Sequence, residues 1–131
     1  MFSISAIKGK FERSQINFHK TYLWEKTSSS QKQKFSTHLR VDEIGIIYYN
    51  ESEAYSWLLT NERIIILNEN WYNLSDLIKV DFINIKINPS EKISNRELTL
   101  FTNSNQFKLF LEENSWHVFY NIFKFIIDKN A

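Results

Sequence analysis

Cysteine is absent from this 131-residue chain, which has one proline and two glycines. Without cysteine there are no disulfides, thiolate metal ligands, thioether-linked haem or cysteine nucleophile. Two glycines cannot supply a phosphate-cradling loop or a dinucleotide fingerprint, and no Gly-x-Ser-x-Gly elbow is present. A surplus of charge is missing too. The 16 Lys+Arg stand against 15 Asp+Glu, a net +1, whereas counterion release on nucleic acid needs a concentrated cationic excess. Nucleic acid is not an expected partner. Long apolar runs are also lacking: Ile64 to Leu67 is typical, far short of the roughly 18 residues that span a bilayer. Met1 to Lys8 lacks the basic and apolar regions of a secretory signal. A cytoplasmic, reducing location is therefore expected.

What the chain does contain is apolar and aromatic. Hydrophobic residues make up 43% and aromatic residues 16%, which argues against disorder. A chain of this length can bury roughly two-thirds of its unfolded surface without staples. Isoleucine (17) and asparagine (14) are abundant, a bias that fits an AT-rich, bacterial source.

The first 30 residues carry two periodicities. Phe11, Phe18 and Tyr22 fall near one helical face, while Ile16, Phe18, Tyr22 and Trp24 fit a period of two. The helical reading gives a helix over about Phe11 to Glu25. The polar run Thr27 to Lys34 resembles a linker, and Ser30 is placed to cap a short helix bearing Phe35 and Leu39.

From Asp42 onward the pattern is one of strands. Ile44–Tyr49 and Tyr55–Thr60 flank a polar turn. Asn61-Glu62 then connects to Arg63–Leu67, with Asn expected at the positive-φ position that glycine would usually fill. Asn68-Glu69-Asn70 makes a turn before Trp71-Tyr72. In the run from Ile78 to Ile87, Ile78, Val80 and Phe82 share one face and Ile83, Ile85 and Ile87 the other, a parity slip expected of a bulge or sharp bend. Asn88-Pro89-Ser90-Glu91 breaks that run. Glu97–Thr102 and Gln106–Leu111 form a last hairpin.

A C-terminal helix follows, with Asn114 or Ser115 as its N-cap. Only His117, Asn121, Lys124 and Asp128 interrupt its apolar surface, so it must be buried on most sides. The fold class is α+β, mainly β. A bent antiparallel sheet or barrel of six to seven strands is expected to be closed by this helix.

Two segments carry a family resemblance. Leu39-Arg40-Val41-Asp42-Glu43-Ile44 looks like the "leucine, then acidic, then strand" opening of bacterial pleckstrin-homology-like (PH-like, GRAM-type) domains. Trp57-Leu58-Leu59-Thr60-Asn61-Glu62-Arg63-Ile64-Ile65-Ile66-Leu67 is similar to their strand, Leu-Thr-Asn-x-Arg turn and following strand. The resemblance implies a PH-like domain over residues 31–131, leaving 1–30 as a helical N-terminal extension. Such a scaffold hosts lipid binding, peptide binding and structural roles alike.

The chemistry narrows the choice. His19, His38 and His117 lie in different segments, and the acidic pairs Asp42/Glu43, Glu51/Glu53 and Glu112/Glu113 have the positions of solvated or capping groups. No enzyme activity, metal or cofactor is expected. Phosphoinositide-binding relatives use basic residues on the first two strands and their connecting loop. The corresponding stretch, Tyr49 to Ala54, is acidic here and would repel a phosphorylated headgroup.

A non-catalytic module that binds another protein is the leading expectation, a regulator or a toxin-neutralising immunity-type partner. Trp71, Tyr72, Tyr49, Tyr55 and Trp24 are its candidate contacts, because aromatics anchor interfaces. Some of Tyr48, Tyr49, Tyr55 and Trp57 are expected to face outward. The alternative is a peripheral membrane module in which Lys8, Lys10, Arg13 and Lys20, interleaved with aromatics, form an interfacial helix. The apolar last helix leaves a homodimer contact open.

Overall fold

The computed structural model describes residues 2–87, 89–91 and 95–130, without the side chains of 84, 85 and 91. It is α+β and mainly sheet, with eight strands in two antiparallel sheets, a helix near the N-terminus and another at the C-terminus. Contacts group residues 1–17 with 75–131 as one unit, and 18–74 as the other.

The unit of residues 18–74 is built on a five-stranded sheet in the order β1 (Thr21–Leu23), β2 (Gly45–Asn50), β3 (Ser56–Thr60), β4 (Arg63–Ile66), β5 (Trp71–Asn73). Its register aligns Tyr22, Tyr48, Leu58, Ile65 and Trp71 in one row across all five strands. Side chains alternate between faces along a strand, so this row shares a face. Helix α2 (Ser29–Ser36) supplies Phe35 to it, and Trp24, Leu39 and Leu67 pack against the same cluster. Every residue of β3 and β4 is buried, as are all but the last of β2. Both faces of these three central strands are therefore buried. Of the four aromatics of which some were expected to face outward, Tyr48, Tyr49 and Trp57 have no exposed surface, and Tyr55 is half-buried.

The other unit contains α1 (Ile4–Glu12), the three-stranded sheet β6 (Leu77–Asp81), β7 (Glu97–Thr102), β8 (Gln106–Phe110), a one-turn helix α3 (Ile83–Ile87) and the final helix α4 (Trp116–Asn130). Val118, Phe119, Ile122, Phe123 and Ile126 form the buried face of α4. That face meets β6, β7 and α1, with Phe11 and Phe119 ring centroids 6.3 Å apart.

Several expectations are corrected. The helix foreseen over Phe11–Glu25 lies earlier, at Ile4–Glu12, where the Ser3 side chain accepts the Ala6 N–H and Ile7 and Phe11 share the buried stripe. It stops at Arg13, and Gln15 takes a positive φ of 61°. The period-two signal around Tyr22 is the one realised, as β1. Ser28, not Ser30, caps α2 by accepting the Gln31 N–H, and Leu39 lies beyond the helix.

The parity slip at Phe82-Ile83 is not a bulge inside a strand: β6 ends at Asp81 and α3 begins. The Asp81 carboxylate accepts the Phe82 N–H at 2.8 Å and binds Lys86 Nζ at 2.7 Å, which ties the new helical turn to the strand end. The face assigned to Ile85 and the break at Asn88 lie outside the described residues. Asn61 does not adopt positive φ; Asn68 does, in the turn before β5.

Candidate functional site

The connection between β3 and β4 holds a buried ion pair. Thr60 Oγ1 accepts the N–H groups of Glu62 and Arg63 at 3.0 and 2.8 Å and donates to Glu43 Oε2 at 2.6 Å. Arg63 grips the same carboxylate with two bonds, Nε to Oε2 at 2.9 Å and Nη2 to Oε1 at 2.6 Å, and Nη2 also reaches the His38 carbonyl at 2.7 Å. The Arg40 N–H completes the set at 3.0 Å. The Glu43 and Arg63 side chains are 0% and 5% exposed.

Burial alone would raise the Glu43 pKa. The hydrogen bonds from Arg63, Arg40 and Thr60, with the Arg63 charge, outweigh it and hold the carboxyl below its ordinary value. The turn that presents Glu43 is tight, with Asp42 at φ 68°. Asn61 braces it by accepting the Ile44 N–H at 2.8 Å. Glu43 is thus neither solvated nor a simple cap, as expected of the acidic pair, but the buried anchor of an arginine.

That arginine orients Trp71. On edge strand β5, the Trp71 indole lies 5.0 Å from the Arg63 guanidinium and 4.9 Å from that of Arg40. Arg40 is in turn paired with Glu62 at 3.4 Å. Trp71 remains 48% exposed, and the turn that bears Arg40 also exposes Val41 (89%) and Ile44 (50%). An indole held against two guanidiniums is both fixed in orientation and open to a partner.

The other candidates stand elsewhere. Tyr72, next along β5, is half-buried. Tyr49 is fully buried and donates its hydroxyl to Glu51; a ring without exposed atoms cannot be a contact. Tyr55 is half-buried, its ring centroid 6.4 Å from that of Tyr49. Trp24 belongs to the cluster under the sheet, edge-on to Tyr48 at 6.0 Å and to Phe35 at 6.4 Å. It also occupies the space over Gly45, where a Cβ would come within 2.5 Å of the indole. Of these five, only Trp71 is exposed, and Trp24 has a packing role.

Lys8 and Lys10 are on α1 and Arg13 caps its end, whereas Lys20 lies in the other unit, paired with Glu51 at 3.2 Å. The single basic-aromatic helix of the membrane reading is not formed. Lys10 and Arg13 instead line a cavity with residues of α4. In the acidic turn after β2, Glu51 has Lys20, and Glu53 has Lys34 at 3.8 Å, so both carboxylates carry a cation.

Arg40, Glu43 and Arg63 were not among the sequence candidates. The signal was present in the Thr60-Asn61-Glu62-Arg63 turn, but nothing local shows that a carboxylate 20 residues earlier neutralises Arg63. Among the described residues, no group of three or more His, Cys, Asp or Glu could hold a metal, and no helix is long and apolar enough to cross a membrane. Comparison with protein-family models, curated proteins and solved structures gives no match.

Proposed function

We propose that the chain is a non-catalytic, cytoplasmic, PH-like module that binds another protein through the Trp71 corner. Strands in series followed by an amphipathic C-terminal helix support the PH-like reading, in which the sheets close into a bent barrel. The observation that carries the functional reading is Trp71, half exposed yet held by Arg40 and Arg63, with Val41 and Ile44 exposed in the segment that bears Arg40. Tryptophan and arginine dominate binding energy at interfaces, and an anchor already fixed loses little entropy on association. The suited partner presents an apolar cleft for the indole, rimmed by carboxylate that can share Arg40 with Glu62. A regulator or an immunity-type partner of a toxin would act this way.

Affinity capture from an extract of the source cells tests this. The wild-type chain should retain one protein in stoichiometric amount. Trp71→Ala should weaken that retention at least about tenfold, since hot-spot truncations cost roughly 2 kcal/mol or more, while the circular dichroism spectrum stays unchanged. A retained partner indifferent to Trp71→Ala, or none at all, would overturn the reading.

A further inference from the structure

The polar stripe of α4 gains a use from what α1 brings to it. His117, Asn121, Lys124 and Asp128 line a cavity of about 540 Å³ together with Lys10, Arg13 and Ser14. That volume lies within the range of small-ligand sites, roughly 300–1,000 Å³. Three basic side chains, Lys10, Arg13 and Lys124, face one carboxylate, Asp128, which is 63% exposed and paired with Lys124 at 3.5 Å. Lys10 and Arg13 have no carboxylate partner among the described residues. In a chain of net charge +1, this is a local cationic excess. His117 adds an N–H donor in either protonation state.

Gly9 is the second, independent observation. It is one of two glycines in the protein and sits inside α1, where glycine is unfavourable relative to alanine. A Cβ at this position would come within 2.6 Å of Arg13 Nη1 and 3.2 Å of Cζ. The guanidinium folds back over the bare Cα, and a Cβ there would oblige this flexible side-chain tip to shift. Lys10 is placed as well, its Nζ 4.8 Å from the centre of the Phe125 ring, which also lines the cavity. A forked guanidinium and a point ammonium on one side of a groove, with a second ammonium opposite, make a donor set suited to phosphate oxygens.

We propose that the groove between α1 and α4 binds a phosphate-bearing ligand, with Arg13 and Lys10 as its principal donors and Lys124 and His117 opposite them. The phosphate belongs either to a free small-molecule ester or to a lipid headgroup. This site is separate from the Trp71 corner and does not depend on the protein-binding reading.

Calorimetric titration of the full chain with pyrophosphate, and flotation with phosphatidylcholine vesicles with and without phosphatidic acid, test it. Binding is expected in at least one arm, and Arg13→Gln should weaken it roughly ten- to a hundredfold, the value of a charge-assisted bond. Gly9→Ala should also weaken binding while the melting temperature stays level or rises, a split that a purely structural glycine would not give. Trp71→Ala should bind as wild type. Capture by phosphatidic-acid vesicles alone assigns the lipid source, whereas pyrophosphate binding without vesicle capture assigns the free ester. Absence of binding in both arms, or binding indifferent to both Arg13→Gln and Gly9→Ala, overturns the proposal.

Discussion

Individual side chains in the 18–74 unit show how packing overrides the usual reading of a residue type. An alternating strand with tyrosines on both parities suggested a wet face, yet Tyr48 and Tyr49 are both fully buried. Their hydroxyls fare differently. Tyr49 reaches Glu51, while Tyr48 Oη has no hydrogen-bond partner among the described residues. Burial first, with repulsion from Glu53 and Tyr22, pushes the Tyr48 phenol up to about 12. An unsatisfied buried hydroxyl costs about 1–3 kcal/mol. Tyr48→Phe should therefore leave stability equal or raise it by about 1 kcal/mol in urea unfolding. Tyr22→Phe, which loses a 2.7 Å bond to the His19 carbonyl, should instead lower it by about 0.5–1.5 kcal/mol. The burial of Tyr48 was not legible from its own sequence neighbours, because the Phe35 and Trp24 that enclose it come from segments before β2.

Secondary-structure elements were legible where one period dominates. The strands β2, β3, β4, β7 and β8 and the C-terminal helix stand close to their expected bounds, because short β-branched and aromatic runs bounded by polar turns, alternation in β7 and β8, or the 3.6-residue stripe mark each of them. Two elements were misread where two periods overlap. Around Phe11–Trp24 both patterns share aromatics, and at Phe82-Ile83 a helical turn imitates a strand of changed parity. In each case a short polar contact decides: Ser3 caps α1, and Asp81 captures both the Phe82 N–H and Lys86.

At nine residues, α1 is too short to hold its helicity in isolation, so its stability must come from the burial of Ile7 and Phe11. Ile7 is fully buried. Ile7→Ala should cost about 2–5 kcal/mol, visible as a lower denaturant midpoint. A change within experimental error would mean that α1 is an appendage to the unit.

Across the whole molecule, the near-balance of charge conceals carboxylates that folding has bound tightly. Glu43 in one unit and Asp81 in the other have a lowered pKa. Glu43 is opposed by burial but held down by Arg63, Arg40 and Thr60. Asp81 is likewise opposed by burial, and is held down by Lys86, the Phe82 N–H and the charge of Lys79. A group with a depressed folded pKa contributes stability that is complete above its unfolded value, about 4 for these side chains. That stability is lost as pH falls through the folded value, because the unfolded chain takes up the proton first. The melting temperature should hold level from neutral pH to about 5 and then fall progressively with acid. Glu43→Gln should flatten part of that decline while lowering stability at pH 7, where it leaves the 5%-exposed Arg63 side chain without its counter-charge; breaking a buried pair in this way costs about 3–5 kcal/mol. Asp81→Asn should flatten the decline too, at a smaller cost at pH 7, since Lys79 and Lys86 are more than half exposed and can be rehydrated. An acid decline of undiminished slope in both variants would show that other carboxylates govern the acid limit of this fold.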